Sequence, residues 1–283
     1  MKNFRILCAC LVCLSGSLAA QTNAEETPYS VNEGTMIGFG GYNIKNSYLS
    51  FGDDIKYTGK GVHVLNERMR MIHPRVSSQQ MFHVDLSLCK NPAATISAMS
   101  GIVDYSHGYH YRFEPVPGLK LLAGTSLRGM LGIVYNTQTG NNPTAINADI
   151  DLNLSVAGIY TLRLRNYPLT LRYQVEAPLV GVLFSPNYGQ SYYEIFGLGN
   201  MSDVIKCSSL HNKQALRNYL TVDFPVWTFT VRTGYLNNLY YTHVNKINVH
   251  HVSHSFTIGL VKEFIAFRGK QLKKKHLYQS AYY

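Results

Sequence analysis

The stretch Asn147 to Ser185, NADIDLNLSVAGIYTLRLRNYPLTLRYQVEAPLVGVLFS, decides the fold. In its first half Ala148, Ile150, Leu152, Leu154, Val156, Gly158, Tyr160, Leu162 and Leu164 fall on one face. Asn147, Asp149, Asp151, Asn153, Ser155, Thr161, Arg163 and Arg165 fall on the other, the period of two that marks a strand. In the second half Leu169, Leu171, Tyr173, Val175, Ala177, Leu179, Gly181 and Leu183 alternate with Thr170, Arg172, Gln174, Glu176 and Pro178, and the contrast fades at Val180 and Val182.

A fold-back about Asn166-Tyr167 sets Leu164 opposite Leu169, Leu162 opposite Leu171, Tyr160 opposite Tyr173 and Thr161 opposite Arg172. A slip of one residue would put leucines on the polar face, so the pattern fixes this register. Both strands exceed the roughly five or six residues of a globular strand and the roughly nine to eleven that cross a bilayer. The expectation is an all-β, antiparallel transmembrane β-barrel. Leucines and the Tyr160/Tyr173 pair face lipid, and Arg163, Arg172 and Glu176 form a charged network in the lumen.

The ends of the chain point to export. Residues 1–20 have a basic start at Lys2 and Arg5, an apolar run from Ile6 to Leu14 and small residues at Ser15, Gly16, Ser17, Ala19 and Ala20. This is a secretory signal peptide, with cleavage after Ala19, Ala20 or Ala24. Its removal takes Cys8, Cys10 and Cys13 and leaves Cys89 and Cys207, for which pairing and separate thiols both stay open. After the signal no apolar run is long enough for a spanning helix. A membrane location then requires a closed barrel, because only helices and closed barrels satisfy every backbone group in lipid.

With 26 Lys and Arg against 16 Asp and Glu the chain is basic, but Arg268, Lys270, Lys273, Lys274 and Lys275 crowd near its end. A basic stripe can mark nucleic acid, yet an exported chain meets little of it. The expected use is a solvated tail that can touch anionic lipid or lipopolysaccharide.

In order, the chain reads as a signal peptide (1–20), an N-terminal segment with a glycine-bent first strand (21–58), a barrel body (59–268) and a basic tail (269–283). Within the body, 60–72 and 76–90 form a hairpin turning at His73-Pro74. Further strands run over 96–112, from Pro117-Gly118 to Tyr135, over 219–232 and over 253–267. The count is ten to twelve strands, with twelve favoured because bacterial single-chain barrels take even numbers. A lumen of that width is filled by side chains or the N-terminal segment.

Several constellations invite chemistry. Tyr188, Gln190, Tyr192 and Glu194 cluster in PNYGQSYYEIFGLGN, Pro186 to Asn200, and are the ligand-binding candidates; the same groups would also suit a packed loop. His251-Val252-Ser253 has the His-x-Ser spacing of some outer-membrane lipid hydrolases, with both side chains on one strand face. Asp104, Ser106 and His110 supply triad residue types, but a polar lumen supplies the same mixture. His243, His250, His251 and His254 lack a completing cysteine or carboxylate, so no metal and no cofactor is expected.

From Leu169 to Asn200, LTLRYQVEAPLVGVLFSPNYGQSYYEIFGLGN, the chain resembles an uncharacterised, domain-of-unknown-function family of exported Bacteroides-type outer-membrane β-barrel proteins. YNTQTGNNP from Tyr135 to Pro143, Asp223 with Pro225, Arg232 with Gly234-Tyr235, and SHSFTIG from Ser253 to Gly259 support the likeness. The resemblance implies an envelope barrel without an assigned role and carries over no catalytic residue.

The leading functional expectation is therefore a non-enzymatic outer-membrane barrel that is structural or that binds or passes a small ligand or lipid. Its partners are outer-membrane lipid or lipopolysaccharide, and the barrel-assembly machinery during insertion. One rival is a lipid- or lipopolysaccharide-modifying hydrolase using His251 and Ser253. The other is a soluble periplasmic barrel or sandwich, whose sheet shows the same alternation.

Overall fold

The computed structural model describes residues 30–49, 55–137, 143–164, 167–226, 229–265 and 280–283. The expected signal peptide (1–20) and the basic run 268–275 lie outside them. The strands are β1 (Ser30–Asn46), β2 (Tyr57–His73), β3 (Val76–Lys90), β4 (Ser97–Val116), β5 (Leu119–Asn136), β6 (Thr144–Leu164), β7 (Tyr167–Phe184), β8 (Ile205–Ser209), β9 (Lys213–Val226), β10 (Phe229–Val244) and β11 (Ile247–Ile265). Each of β1 to β6 pairs with the next, β6 pairs with β7, β7 with β9, β9 with β10, β10 with β11, and β11 returns to β1. Every one of these pairings is antiparallel. Ten strands thus close the barrel, two fewer than the favoured twelve. Ser185 to Val204 is a loop with one helical turn of π type at Tyr193–Gly197.

The eleventh strand, β8, extends β9. It pairs with Val180–Phe184 of β7, above the Thr170–Glu176 segment that pairs with β9. Between the pairs Glu176↔Arg217 and Val180↔Ser209 the chain carrying β8 and β9 holds four more residues than β7. Most of that excess is the three-residue turn Leu210–Asn212, an irregular bulge at the barrel rim.

The deciding hairpin forms in a tighter register than expected. Leu164 pairs with Tyr167, Leu162 with Leu169, Tyr160 with Leu171 and Gly158 with Tyr173, a shift of two residues. An even shift keeps every side chain on its face, so the alternation alone could not have detected it. Beyond Asn153↔Pro178 a bulge places Leu179 outside the pairing, and Leu152 meets Val180. From there Val180 and Val182 turn outward and Leu183 turns inward, reversing the expected positions of these residues. This is the physical cause of the faded contrast.

Two other segments also differ from expectation. Residues 219–232 contain the β9–β10 junction, with Phe229 paired to Val226. The strand does not end at Arg232 but continues in β10 to Val244, and β11 begins at Ile247 rather than at Ser253. Asn245 and Lys246 join them with positive φ of 51° and 62°, the two left-handed residues of a tight hairpin turn.

The ends of the barrel are unequal. Two residues separate the strands of β2–β3, β4–β5, β6–β7 and β9–β10 at the end where β1 starts and β11 finishes. At the opposite end the connections 47–56, 91–96, 137–143 and 185–204 are longer, and only β10–β11 among the described connections turns there in two residues. Short turns at one end and longer loops at the other are the plan of outer-membrane-type barrels.

Polarity is inverted relative to a water-soluble barrel. The outer wall exposes Ile37, Phe39, Val62, Leu86, Leu127, Leu131, Ile150, Leu154, Phe256 and Leu260, among others around the whole circumference. Soluble monomers rarely expose contiguous apolar patches beyond a few hundred Å². Toward the turn end Tyr111, Phe113, Tyr160, Tyr167, Phe229 and Phe264 are exposed near the ends of their strands, as in an aromatic girdle. Inside, charged and amide side chains alternate with apolar layers. One layer at the loop end includes Tyr42, Tyr48, Tyr57, Val134 and Ile247, a middle one Met36, Leu65, Met81, Tyr219 and Leu236, and one at the turn end Met69, Met71, Leu122 and Ile159. Cys89 is buried and Cys207 is exposed; neither forms a disulfide.

Candidate functional site

The lumen holds two charged networks separated by the middle apolar layer. In the one nearer the turn end Glu67 is the hub. It pairs with Arg172, accepts from Arg232 Nη1 at 3.0 Å and from Gln79 Nε2 at 2.6 Å. Arg232 also forks onto Asp223, Nε to Oδ1 at 2.7 Å and Nη2 to Oδ2 at 2.8 Å, and Nη2 reaches Asn32 Oδ1 at 3.2 Å. Both arginines and both carboxylates are about 1% exposed or less, so their charges must balance within the lumen, and they do.

The last four residues, Ser280–Tyr283, complete this network from the turn end. The Tyr282 ring lies 4.2 Å from Arg232 Cζ and 5.4 Å from Arg172 Cζ, and its hydroxyl is 3.0 Å from Thr221 Oγ1. Tyr283 Oη donates to Asp223 Oδ2 at 2.6 Å. Arg112 Nη1 donates to the Ser280 carbonyl at 3.3 Å, and Lys120 Nζ to the backbone oxygens of Tyr282 and Tyr283 at 3.4 and 2.5 Å. Ala281 and Tyr282 are fully buried in the collar of Met69, Met71, Leu122, Ala157 and Ile159.

Nearer the loop end the hub is Asp104. Arg217 Nη2 binds both of its oxygens at 2.8 and 2.9 Å, Arg128 Nη2 approaches to 3.3 Å and His83 Nδ1 to 2.9 Å. Beside it Lys213 lies between Asp149 and Asp151, at 2.7 and 2.5 Å, with the Tyr240 hydroxyl donating to Asp149 Oδ2 at 2.9 Å. A cavity of about 50 Å³ opens among His83, Asp85, Asp104, Arg128, Glu176, Arg217, Tyr240 and His251. That is space for a few waters or an ion, far below the roughly 300 Å³ of a small organic-ligand pocket.

Of the three expected lumen charges, Arg172 stands in the turn-end network and Glu176 in the loop-end one, 3.9 Å from Arg217 Nη1. Gln174 links them, bonded to Arg172 and donating to Glu176 Oε1 at 3.1 Å. Arg163 is exposed near the turn end and joins neither network.

The four ligand-binding candidates fall in the long loop, where three of them are engaged in folding it. Gln190 is buried: Oε1 accepts from Asn187 N and Nδ2 at 3.0 and 3.1 Å, Nε2 donates to the Asn200 carbonyl at 2.9 Å, and its carbonyl accepts from Tyr48 Oη at 2.9 Å. Tyr192 Oη accepts the Ile146 N–H at 2.7 Å, and its ring meets Tyr48 and stacks on Phe196. Burial pushes the Tyr192 phenol above its ordinary pKa, so it stays a neutral hydroxyl. Glu194 and Ser191 form a reciprocal capping box, Ser191 N to Glu194 Oε2 at 2.9 Å and Glu194 N to Ser191 Oγ at 3.2 Å. Tyr188 is half-exposed. The S-x-x-E spacing that looked like a polar cluster is thus a helix-start signal.

His251 and Ser253 both point into the lumen and are buried, out of reach of lipid. The serine oxygen accepts from Asn238 Nδ2 at 3.3 Å and His251 Nε2 has no hydrogen-bond partner, so the pair lacks the bond that would activate the serine. The four histidines at 243–254 do not converge. His254 bonds Tyr235 Oη at 2.6 Å and His243 Nδ1 bonds Asn248 Oδ1 at 2.5 Å, while His250 and His251 take opposite faces of β11. His83, Asp85 and Asp104 instead come together with His63. The sequence signal for them was His83-x-Asp85, a same-face pair, but the partner across the hairpin depends on a bulge. Counting back symmetrically from the turn pairs His63 with Leu86, whereas the irregularity between Met71 and His73 pairs it with Asp85.

In sequence, the profile of the family described as Protein of unknown function (DUF3316) matches residues 6–271. No curated protein matches. In structure, the chain is similar to the transport unit of the autotransporter AIDA-I from Escherichia coli, at 10% identity over 92% of this chain and 97% of that one, with a TM-score of 0.47. It is also similar to the outer membrane protease OmpT from Escherichia coli, at 10% identity over 88% and 100% with a TM-score of 0.43. A third likeness is to an outer membrane channel from Pseudomonas putida F1, at 7% identity over 87% and 100% with a TM-score of 0.34. A transporter unit, a protease and a channel pass no shared activity to this chain.

Proposed function

We propose that this chain, which belongs to the family Protein of unknown function (DUF3316), is an outer-membrane barrel with a sealed lumen, structural or lipid-contacting in role, and not a diffusion pore. The observation that carries this reading is the double closure. Ser280–Tyr283 fill the turn end on Arg232, Arg172, Asp223 and Lys120, and an apolar layer under the Gln190–Tyr192 loop fills the other. The exposed apolar wall supports placement in lipid, with the turn end toward the periplasm, the longer loops outward, and lipid or lipopolysaccharide as its neighbours. A signal peptide at 1–20 and insertion by the barrel-assembly machinery belong to the same reading.

The test combines membrane fractionation, a boiled-versus-unboiled gel shift and planar-bilayer recording. The expected result is an outer-membrane, heat-modifiable protein that gives no conductance steps. Recovery in the soluble fraction would overturn the membrane placement, and regular single-channel steps from the full chain would overturn the sealed lumen.

A further inference from the structure

Three buried side chains at the cavity each carry at least one polar atom without a hydrogen-bond partner. His63 on β2 lies directly across from Asp85 on β3, and His83 is one same-face step before Asp85. Each is about 2% exposed. One ring nitrogen from each histidine and one oxygen from Asp85 lie within 4.8 Å of one another. Both ring nitrogens of His63, Nε2 of His83 and Oδ1 of Asp85 are buried without a hydrogen-bond partner. The ion pairs around them run to Asp104 and leave Asp85 without a cation among the described residues.

Unpartnered groups of this kind are costly to bury, and their surroundings are shaped to keep them in place. Gly38 on β1 lies opposite His63, and a Cβ there would overlap the imidazole ring. His83 Nδ1 faces Asp104 Oδ2 at 2.9 Å, and a carboxylate can only accept, so the ring proton sits on Nδ1. In the neutral ring that tautomer leaves the lone pair on Nε2, the arrangement by which a carboxylate orients a metal-binding histidine. Arg128 and Arg217 hold Asp104 in turn.

We propose that His63, His83 and Asp85 form an intraluminal site for a divalent transition-metal cation, with Asp104 as the positioning residue behind His83. Two imidazoles and one carboxylate suit the zinc class of ion, whereas calcium and magnesium take oxygen ligands. Three atoms no more than 4.8 Å apart share a point within about 2.8 Å of each, so sub-ångström side-chain shifts reach the roughly 2.0–2.2 Å of zinc bonds. The adjoining cavity supplies space for a water as a further ligand. The inference rests on the lumen walls and does not depend on whether the barrel conducts.

The test uses the full chain, folded in detergent, stripped with chelator and dialysed. Zinc is titrated by calorimetry, cobalt by visible absorption, and each variant is first checked for heat-modifiable migration. The expected result is one zinc per chain, cobalt bands of a low-coordinate nitrogen–oxygen site, and no heat with magnesium. His63→Gln and Asp85→Asn abolish stoichiometric zinc binding, Asp104→Asn weakens it by about 10- to 100-fold, and His254→Gln, on the outer face, leaves it unchanged. Absence of both stoichiometric zinc uptake and cobalt bands in the wild-type chain overturns the proposal whether or not the variants fold. So does a folded His63→Gln that binds zinc like the wild type.

Discussion

The Arg232 guanidinium faces the ring of Tyr282, with Cζ 4.2 Å from the centroid and the two residues fifty positions apart in sequence. Arg232 is an inward residue of a spanning strand and Tyr282 lies past the last strand, so the contact ties the segment after the barrel to its interior. The ring also covers Arg172 and packs in the Met69, Met71, Leu122 and Ile159 collar. Tyr282→Ala is expected to destabilise the barrel by about 3–5 kcal/mol, as large aromatic truncations in cores do. Tyr282→Phe keeps the ring and loses only the contact to Thr221, about 1 kcal/mol. Denaturant unfolding in detergent checks the order; equal effects of the two substitutions would assign the role to the hydroxyl instead.

Asp223 and Arg232 form a two-pronged ion pair, both side chains fully buried in the lumen. Removing one partner leaves the other charge buried, at a cost of about 3–5 kcal/mol, while removing both relieves that cost. Asp223→Asn and Arg232→Met are each expected to lower stability by about that much. Their combination should destabilise by clearly less than the sum of the two. Additive losses in a double-mutant cycle would mean that the residues act independently.

Lys213 is a single cation serving two neighbouring carboxylates, Asp149 and Asp151. Lys213→Met therefore leaves like charges facing each other inside the barrel. The expected outcome is a loss of about 3–5 kcal/mol, part of which Asp151→Asn restores in the Lys213→Met background. In the wild-type background Asp151→Asn is expected to destabilise. The change of sign between backgrounds is the readout, in unfolding midpoints; the same sign in both would contradict shared neutralisation.

Much of the barrel was legible because its signal repeats along every strand. Alternation over strands longer than a bilayer requires identified the wall, and the even shift in the β6–β7 register left that reading intact. What it could not convey was set by single residues off the ladder. The Leu179 bulge, the rim excess at Leu210–Asn212 and the irregularity beside His73 each change a pairing without a composition cue. The candidate site was hidden for the same reason. Glu67 meets Arg172 and Arg232, and Asp104 meets Arg217, only after closure brings distant strands together, and Tyr282 reaches Arg232 from beyond the last strand. Tyr188, Gln190, Tyr192 and Glu194 attracted notice by composition, yet for Gln190, Tyr192 and Glu194 composition serves loop packing and capping.

The β7 bulge yields an expectation opposite in direction to most deletions in a strand. Leu179 and Val180 both point outward, about 42% and 51% exposed, and only Val180 has a partner on β6. Deleting Leu179 removes the unpaired residue and leaves Gly181 and Leu183 facing inward and Val182 outward, so every later side chain keeps its face. Deleting Val175, within the regular ladder opposite Val156, moves Glu176 to the lipid face and Ala177 inward. The first variant is expected to give the compact unboiled band of a folded barrel, and the second to lose it. Equal loss of that band in both would show that the bulge itself, rather than the parity of faces around it, is what β7 requires to pair with β6 and β8.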